Sequence, residues 1–577
     1  MPDVVTGAQA VVGALLKTGV DAVFSTAHAA RLLLRSGNPA SGPEVLLLPH
    51  GQDAGHAASG YATATGRTGV CLATPGAGIT ELVTPLYDAH MDSVPVVALA
   101  FSEHDDDTWG MMLPITKHSF RITEFERLAA AIQEAFHIAS TGRPGPVLVD
   151  IAPSLLQMRG AVPSPQPGVE LPGFRPPAKP SARRLKEAAE PLIGSSRPIM
   201  YVGGGVIKAD ASHALRELAE FAGIPVVTTL MGRGALPHSH PLNIGMPGLH
   251  GSVPAVGALQ ESDLVIALGA RFDDRVTGDP ATFAPCARVV HADVDAAEIG
   301  KNRRADVPIV GDAKWVALGL VEAVKRALAE VSQPSAVQLH ERYLPWRNRL
   351  AKWAERYPLG YRPADDGSLV PQEVIERIGR IVGPEAIYVA GVGQHQMWAS
   401  QFLRLEHPRS LLNSGGAGTM GYAVPAAIGA ATGRPGTAVW AIDGDGCFQM
   451  TGRSLMTAAA ARIPLKVAVI NNSTLGMVRQ LQALHYAERH FGTDIGRHGI
   501  PDYVAVAESY GCLGLRCSRQ YELDSVIHKA AGVDDRPVVI DFVVDEVEMV
   551  WPMVPPSASS SDIQIARDMT PDWDSDD

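Results

Sequence analysis

Residues 437–446 read TAVWAIDGDG and residues 465–472 read LKVAVINN. Each is an apolar, β-branched run that breaks off at small or amide side chains, as a strand covered on both faces does where it enters a turn. Two such strands side by side in a parallel sheet bring their loops together at its carboxyl edge, where α/β proteins hold ligands. One loop offers the carboxylate of Asp445 and the other the amide oxygen of Asn472, which stands 27 residues later. Hard oxygens of this kind suit Mg²⁺ holding a diphosphate, while Gly444 and Gly446 let backbone approach phosphate oxygens where the next helix begins. The plainer readings are a surface Asp-Gly turn or a calcium loop. An EF-hand needs a Glu at its twelfth position, where Ser454 stands.

Strand AIYVA precedes this pair and PVVIDFVV follows it, so residues 372–548 are expected to form one diphosphate- and metal-binding α/β unit. Upstream, RPIMYVGGG, IPVVTTL, DLVIALG, ARVVHADVD and VPIVGDA alternate with helix-like stretches over residues 184–345, closing with a helix near 312–329. Residues 1–162 open on AQAVVGALLKTG and then carry DAVFS, EVLLLPH, GVCLATPG, VPVVALAF and PVLVDIA. Helical periods alternating with β-branched runs predict three α/β domains built on parallel sheets. The joints are a proline-rich linker at 163–183, with seven prolines between Pro163 and Pro180, and a second linker at 346–371. Residues 549–577 read as a tail whose polar, acidic end is expected to fray or form a flap.

A chain of 577 residues is too long for one core. With 46% hydrophobic and 19% charged residues it is neither disordered nor fibrous. Its 49 basic and 61 acidic residues leave a net charge of -12 and no basic stripe, which argues against a nucleic-acid partner. Cys71, Cys286, Cys447, Cys512 and Cys517 are an odd number and form no CxxC pair, so neither a disulfide framework nor a structural zinc site is indicated and a reducing cytoplasm is expected. No apolar run reaches membrane-spanning length, and MPDVVTGAQAVVGALL has no Lys or Arg ahead of its apolar residues. A soluble, untargeted, cytoplasmic protein with no membrane partner is expected.

The GDG and NN pair resembles the signature of thiamine diphosphate enzymes, and the chain is most similar to the large catalytic subunit of acetolactate synthases. The likeness runs through TGAQA, GHAASGYATATG, DAHMDSVP, PITKHSF, GRPGPVLVDI, TTLMGRGALP, GARFDDRVTG, DAAEIGKNRRADVPIVGDAK, GVGQHQMW, GTMGYAVPAAIGA, NNSTLGMV and WPMVPP. It implies a pyrimidine-binding, a middle and a diphosphate-binding domain, with thiamine diphosphate, Mg²⁺ and a structural FAD as cofactors. It also implies a homodimer or homotetramer, with a regulatory small subunit as a further partner. By motif, Asp445, Asn472 and the carbonyl of Thr474 would hold the metal. Val392, Gly393, Gln394, His395, Gly418, Gly446, Cys447, Gly476 and Met477 would hold thiamine diphosphate, with Met420 bending it into its V shape. Core packing is the alternative role for Met420. Arg143, Gly203, Gly204, Gly205, Thr229, Leu230, Met231, His250, Gly269, Arg271, Asp273, Arg275, Asp293 and Asp312 match positions that bind FAD.

The resemblance breaks on the pyrimidine side. Where the family places a Glu that shares a proton with the aminopyrimidine ring, the stretch reads His50, Gly51, Gln52, Asp53, and no carboxylate stands in register. Asp53 reads as a helix N-cap. The glycine-rich loop after the first strand is Ser25 to Ala30, the usual Asn in the turn after GVCLATPG is Glu81, DDDTWGMM replaces a Phe-Gln, and Leu481 replaces a Trp; Lys117 and His118 remain. The resemblance nonetheless implies a carboligase that decarboxylates a 2-oxo acid, pyruvate by default, and joins the active aldehyde to a second carbonyl compound. Gly51, Gln52, Met420 and Lys117 are the catalytic positions carried over. Two alternatives stand: a glyoxylate carboligase-like enzyme or specialised acyloin synthase, whose relatives also lack the Glu, and a catalytically impaired cofactor-binding partner.

Overall fold

The computed structural model describes residues 4–34, 42–102, 107–162, 171–176, 179–330, 336–496 and 499–573. Residues 163–170 and 177–178 of the proline-rich segment, Asp105 and Asp106 of DDDTWGMM, and the last four residues lie outside them. The first unit holds β1 (Val4–Thr6), β2 (Ala22–Ser25), β3 (Glu44–Leu47), β4 (Gly69–Ala73), β5 (Val96–Ala100), β6 (His118–Ile122), β7 (Val147–Ile151) and β8 (Arg159–Ala161). Strands β2 to β7 form one parallel sheet in the order β3-β2-β4-β5-β7-β6, and β1 pairs antiparallel with β8.

The second unit holds β9 (Pro198–Val202), β10 (Val226–Thr228), β11 (Asn243–Gly245), β12 (Leu264–Leu268), β13 (Arg288–Asp293) and β14 (Val307–Val310), ordered β11-β10-β9-β12-β13-β14. The third holds β15 (Ile387–Ala390), β16 (Leu411–Asn413), β17 (Val439–Gly444), β18 (Lys466–Asn471), β19 (Leu513–Cys517) and β20 (Val538–Val543), ordered β16-β15-β17-β18-β20-β19. Both sheets are wholly parallel. Such a sheet has to be covered on both faces, and the central strands β4, β5, β7, β9, β12, β17 and β18 are buried from end to end. Besides the separate pair β1 and β8, the strands that the apolar pattern does not announce, β6, β11, β16 and β19, all lie at sheet edges, where one open side weakens the signal.

Helices Gly51–Thr65 and Ala423–Gly433 join the first unit to the third. They meet through small residues: a Cβ on Gly60 would lie 2.0 Å from the carbonyl oxygen of Ala426, and one on Gly429 only 1.8 Å from that of Ala57. One apolar cluster therefore runs from Phe24 and Leu46 through Ala57 and Ala426 to Val389 and Val467. In the second unit the expected helix appears as Ala313–Glu330, while Ala336–Arg356 is a single helix. The linker expected at 346–371 thus begins inside a helix, because Trp346, Leu350 and Trp353 bury themselves against the second sheet.

The tail, expected to fray or form a flap, folds back onto the second unit. Val554 and Ile563 are buried against Val253 and Val256, Trp573 stacks edge-on against Trp353, and the Val554 amide donates to the Leu249 carbonyl at 2.8 Å. Its apolar residues are sparse, and Val554, Ile563 and Trp573 share one direction that composition alone does not reveal. Among the described residues, no helix is long and apolar enough to cross a membrane.

Candidate active site

The GDG turn ends β17 and the NN pair ends β18, and these strands are direct neighbours. Helices Gln394–Phe402 and Gly476–His485 both begin beside them, presenting free backbone amides to the same space. That space is a cavity of about 230 Å³. Its walls include every residue the sequence assigns to metal and thiamine diphosphate: Val392, Gly393, Gln394, His395, Gly418, Met420, Asp445, Gly446, Cys447, Asn472, Thr474, Gly476 and Met477. The glycines are needed for room. A Cβ on Gly476 would stand 2.0 Å from Gln394 Oε1 and 2.8 Å from Asn472 Nδ2.

The polar atoms of the cavity are poised for a cation. Asp445 accepts the Gly446 amide on Oδ1 at 2.8 Å, while its buried Oδ2 has no partner. Burial pushes its carboxyl up to about 7 and that of Asp443 to about 8, and a cation held at Asp445 would favour that residue's charged form. The Asn472 amide oxygen accepts the Thr474 amide at 3.3 Å, and Asn472 Nδ2 donates to Gln394 Oε1 at 3.5 Å. Gln394 in turn donates to Gln480 Oε1 and the Glu548 carbonyl, each at 2.9 Å, which fixes its orientation. His395 accepts the Gly444 amide on Nε2 at 3.1 Å, and burial pushes it down to about 3. Its 3.8 Å separation from Asp443 is therefore no ion pair. Cys447 donates to the Val392 carbonyl at 3.0 Å, and burial lifts its thiol to about 12, which leaves it inert. A carboxylate oxygen without a partner beside an amide oxygen and glycine-lined backbone fits Mg²⁺ and a diphosphate.

The positions assigned to FAD divide. Arg143, Gly204, Gly205, Met231, Gly269, Arg271, Asp293 and Asp312 line a cavity of about 510 Å³ between the first and second units. His250 and Arg275 line a second cavity of about 290 Å³, which Met477 also reaches. Gly203, Thr229, Leu230 and Asp273 line neither. They shape the walls instead: a Cβ on Gly203 would lie 2.0 Å from the Gly269 carbonyl oxygen, Thr229 caps the turn Leu230–Gly232, and Asp273 pairs with Arg271 at 3.1 Å. Arg143 bridges the units through Asp295 at 3.1 Å and Glu298 at 2.8 Å.

On the pyrimidine side, Gly51 opens the helix Gly51–Thr65, with His50 as its N-cap. The Gln52 amide donates to His50 Nδ1 at 3.2 Å. Asp53 does not cap. Its fully buried carboxylate is gripped by Arg453, Nε to Oδ2 at 3.0 Å and Nη2 to Oδ1 at 3.1 Å, because the third helical position faces the third unit. Lys117 turns its ammonium into the carbonyls of Ile138 and Thr141 at the end of helix Leu128–Ser140, and burial lowers it to about 8. Glu81, which motif reading treated only as a lost Asn, accepts the Gly51 amide on Oε2 at 2.6 Å. Two simultaneous departures, a Glu gone at 51 and a Glu gained at 81, were the available signal.

Residues 5–119, 185–320 and 391–542 match the family models for the thiamine pyrophosphate enzyme N-terminal TPP binding domain, central domain and C-terminal TPP binding domain. The chain is 52% identical to an acetolactate synthase of Mycobacterium bovis, over 99% of this chain and 93% of the relative. It belongs to the acetolactate synthase family. An acetolactate synthase large subunit of Corynebacterium glutamicum is 50% identical over 100% of this chain and 92% of its own, and one of Parasynechococcus marenigrum is 41% identical over 97% and 91%. The chain is thus a thiamine diphosphate-dependent enzyme of the carboligase type.

Proposed function

We propose that this enzyme decarboxylates a 2-oxo acid, pyruvate by default, and joins the remaining acyl unit to a second carbonyl compound. The observation that carries the reading is the single cavity lined by all thirteen thiamine diphosphate and metal positions, with Asp445 Oδ2 unpartnered inside it. Asp445, Asn472 and Thr474 would hold Mg²⁺, and the amides at the starts of helices Gln394–Phe402 and Gly476–His485 would hold the diphosphate. Thiamine diphosphate supplies, when bound, the nucleophilic carbon that takes up the 2-oxo acid and accepts the electrons left by CO₂. Met420 lines the same cavity and would support the cofactor's bend. The cavity around Arg143, Arg271, Lys208 and Gly204 suits the phosphates of an FAD with a structural role. The active form is a homo-oligomer, and relatives named large subunits support a small regulatory partner. The cytoplasm is its place of action.

Calorimetry tests the reading. Asp445→Ala should abolish Mg²⁺-dependent binding of thiamine diphosphate; an unchanged affinity would remove the assignment.

A further inference from the structure

We propose that Glu81 is the carboxylate this chain offers to the pyrimidine ring of thiamine diphosphate, arriving from a neighbouring loop instead of from position 51. The proposal deepens the carboligase reading and rests on it. Residue 51 has no room for a side chain: a Cβ there would lie 2.8 Å from Glu81 Oε2, 3.0 Å from Glu81 Cβ and 3.1 Å from the Gly78 carbonyl oxygen. The space a side chain would fill is already filled by an acid. Gly51 and Glu81 therefore fit each other, and the glycine is what admits the carboxylate to the start of the helix.

The topology puts this acid on the ligand side of the sheet. His50 and Gly51 follow β3, and Gly76 to Glu81 follow β4. Strands β3 and β4 flank β2, so both loops stand at the carboxyl edge of one parallel sheet, where the strand order switches direction. Both carboxylate oxygens are aimed. The Gly51 amide donates to Oε2 at 2.6 Å, and His50 Nε2 stands 3.3 Å from Oε1. Because His50 Nδ1 accepts the Gln52 amide, the ring's proton sits on Nε2 and points at Glu81. The Glu81 side chain keeps 27% of its surface exposed, so a ligand can reach it. A carboxyl held this way can share one proton with a basic ring nitrogen such as N1′ of an aminopyrimidine. The proton passes between oxygen and nitrogen and back, and no other bond changes.

The experiment compares cofactor binding by the full chain with Mg²⁺, using thiamine diphosphate and an analogue whose N1′ is replaced by C–H. The wild type should prefer the natural cofactor by about tenfold or more, the worth of one hydrogen bond to a charged group, and Glu81→Ala should bind the two alike. The double variant Gly51→Glu/Glu81→Asn, which returns the carboxylate to the helix, should regain the preference. Should Glu81→Ala not fold, Glu81→Gln keeps an acceptor for the Gly51 amide. It should slow proton exchange at C2 of the bound cofactor by about 10² to 10⁴, and an unchanged rate would overturn the proposal. A wild type that binds both cofactors equally well, or a Glu81→Ala protein that keeps the preference, also overturns it. A wild type that binds neither cofactor overturns the carboligase reading as well.

Discussion

Replacing Arg453 by Met tests how the first unit is fastened to the third. Asp53 is fully buried and holds Arg453 through two hydrogen bonds, of 3.0 and 3.1 Å. Burial already raises the Asp53 carboxyl, and Arg453 is the main opposing pull. Removing one partner of a buried pair costs about 3–5 kcal/mol, and because 37% of the Arg453 side chain is exposed, the lower end applies. At 1.36 kcal/mol per decade, about 3 kcal/mol corresponds to a protection loss of roughly 10²-fold. Native-state hydrogen exchange on the amides of helix Gly51–Thr65, with β17 as internal reference, reads that number directly. The loss should shrink as pH falls and Asp53 takes up a proton. Asp53→Leu together with Arg453→Met should recover most of the protection, since paired apolar groups replace an ion pair at little cost. A change below about threefold in the single variant, well under the loss of one kcal/mol of coupling, would refute the view that this pair holds the helix in place.

Gly476→Ala should cost more than tenfold in thiamine diphosphate affinity by calorimetry, because the new methyl would meet Gln394 Oε1 at 2.0 Å. Purified protein should be yellow, with a flavin spectrum that turnover does not bleach, and Arg271→Ala should lose the colour; colourless wild type would remove FAD from the assignment. Burial pushes His56 to about 3 and His250 to about 4, so both are neutral in the folded chain. Their folded values lie below the unfolded value near 6.5, and stability is therefore lost as pH falls from about 6.5 toward 4, at up to about 1.4 kcal/mol per unit for each ring. His56→Phe should flatten that slope in urea unfolding at pH 7.5 and 5.0.

The strands of the sheet centres were legible because burial on both faces leaves continuous runs such as VWAI and VAVI, which no other element requires so strongly. The diphosphate cavity was equally legible, since a turn and its ligands lie within a few residues of each other on neighbouring strands. The pyrimidine side was not. Glu81 meets Gly51 across thirty positions of sequence, Asp53 finds Arg453 across four hundred, and nothing local in either partner announces the other. Asp53 in particular stands where an N-cap is expected, and only the packing of the first unit on the third turns it inward. The FAD positions fall between these extremes: Gly204 and Gly205 mark a cavity wall, but the split between two cavities depends on how loops of the second unit meet the first unit on one side and the third on the other.

The buried end of the chain has a bearing on synthesis. Val554, Ile563 and Trp573 fill the flank of a unit whose sheet begins at Pro198. The ribosome delivers them only after the whole of the third unit has been made. Until then the sides of Val253, Val256 and Trp353 that these residues cover stay open, so the nascent middle unit waits for residues 554–573. Loss of those residues by premature termination would leave the thiamine-binding sheets complete and an uncovered apolar flank beside them.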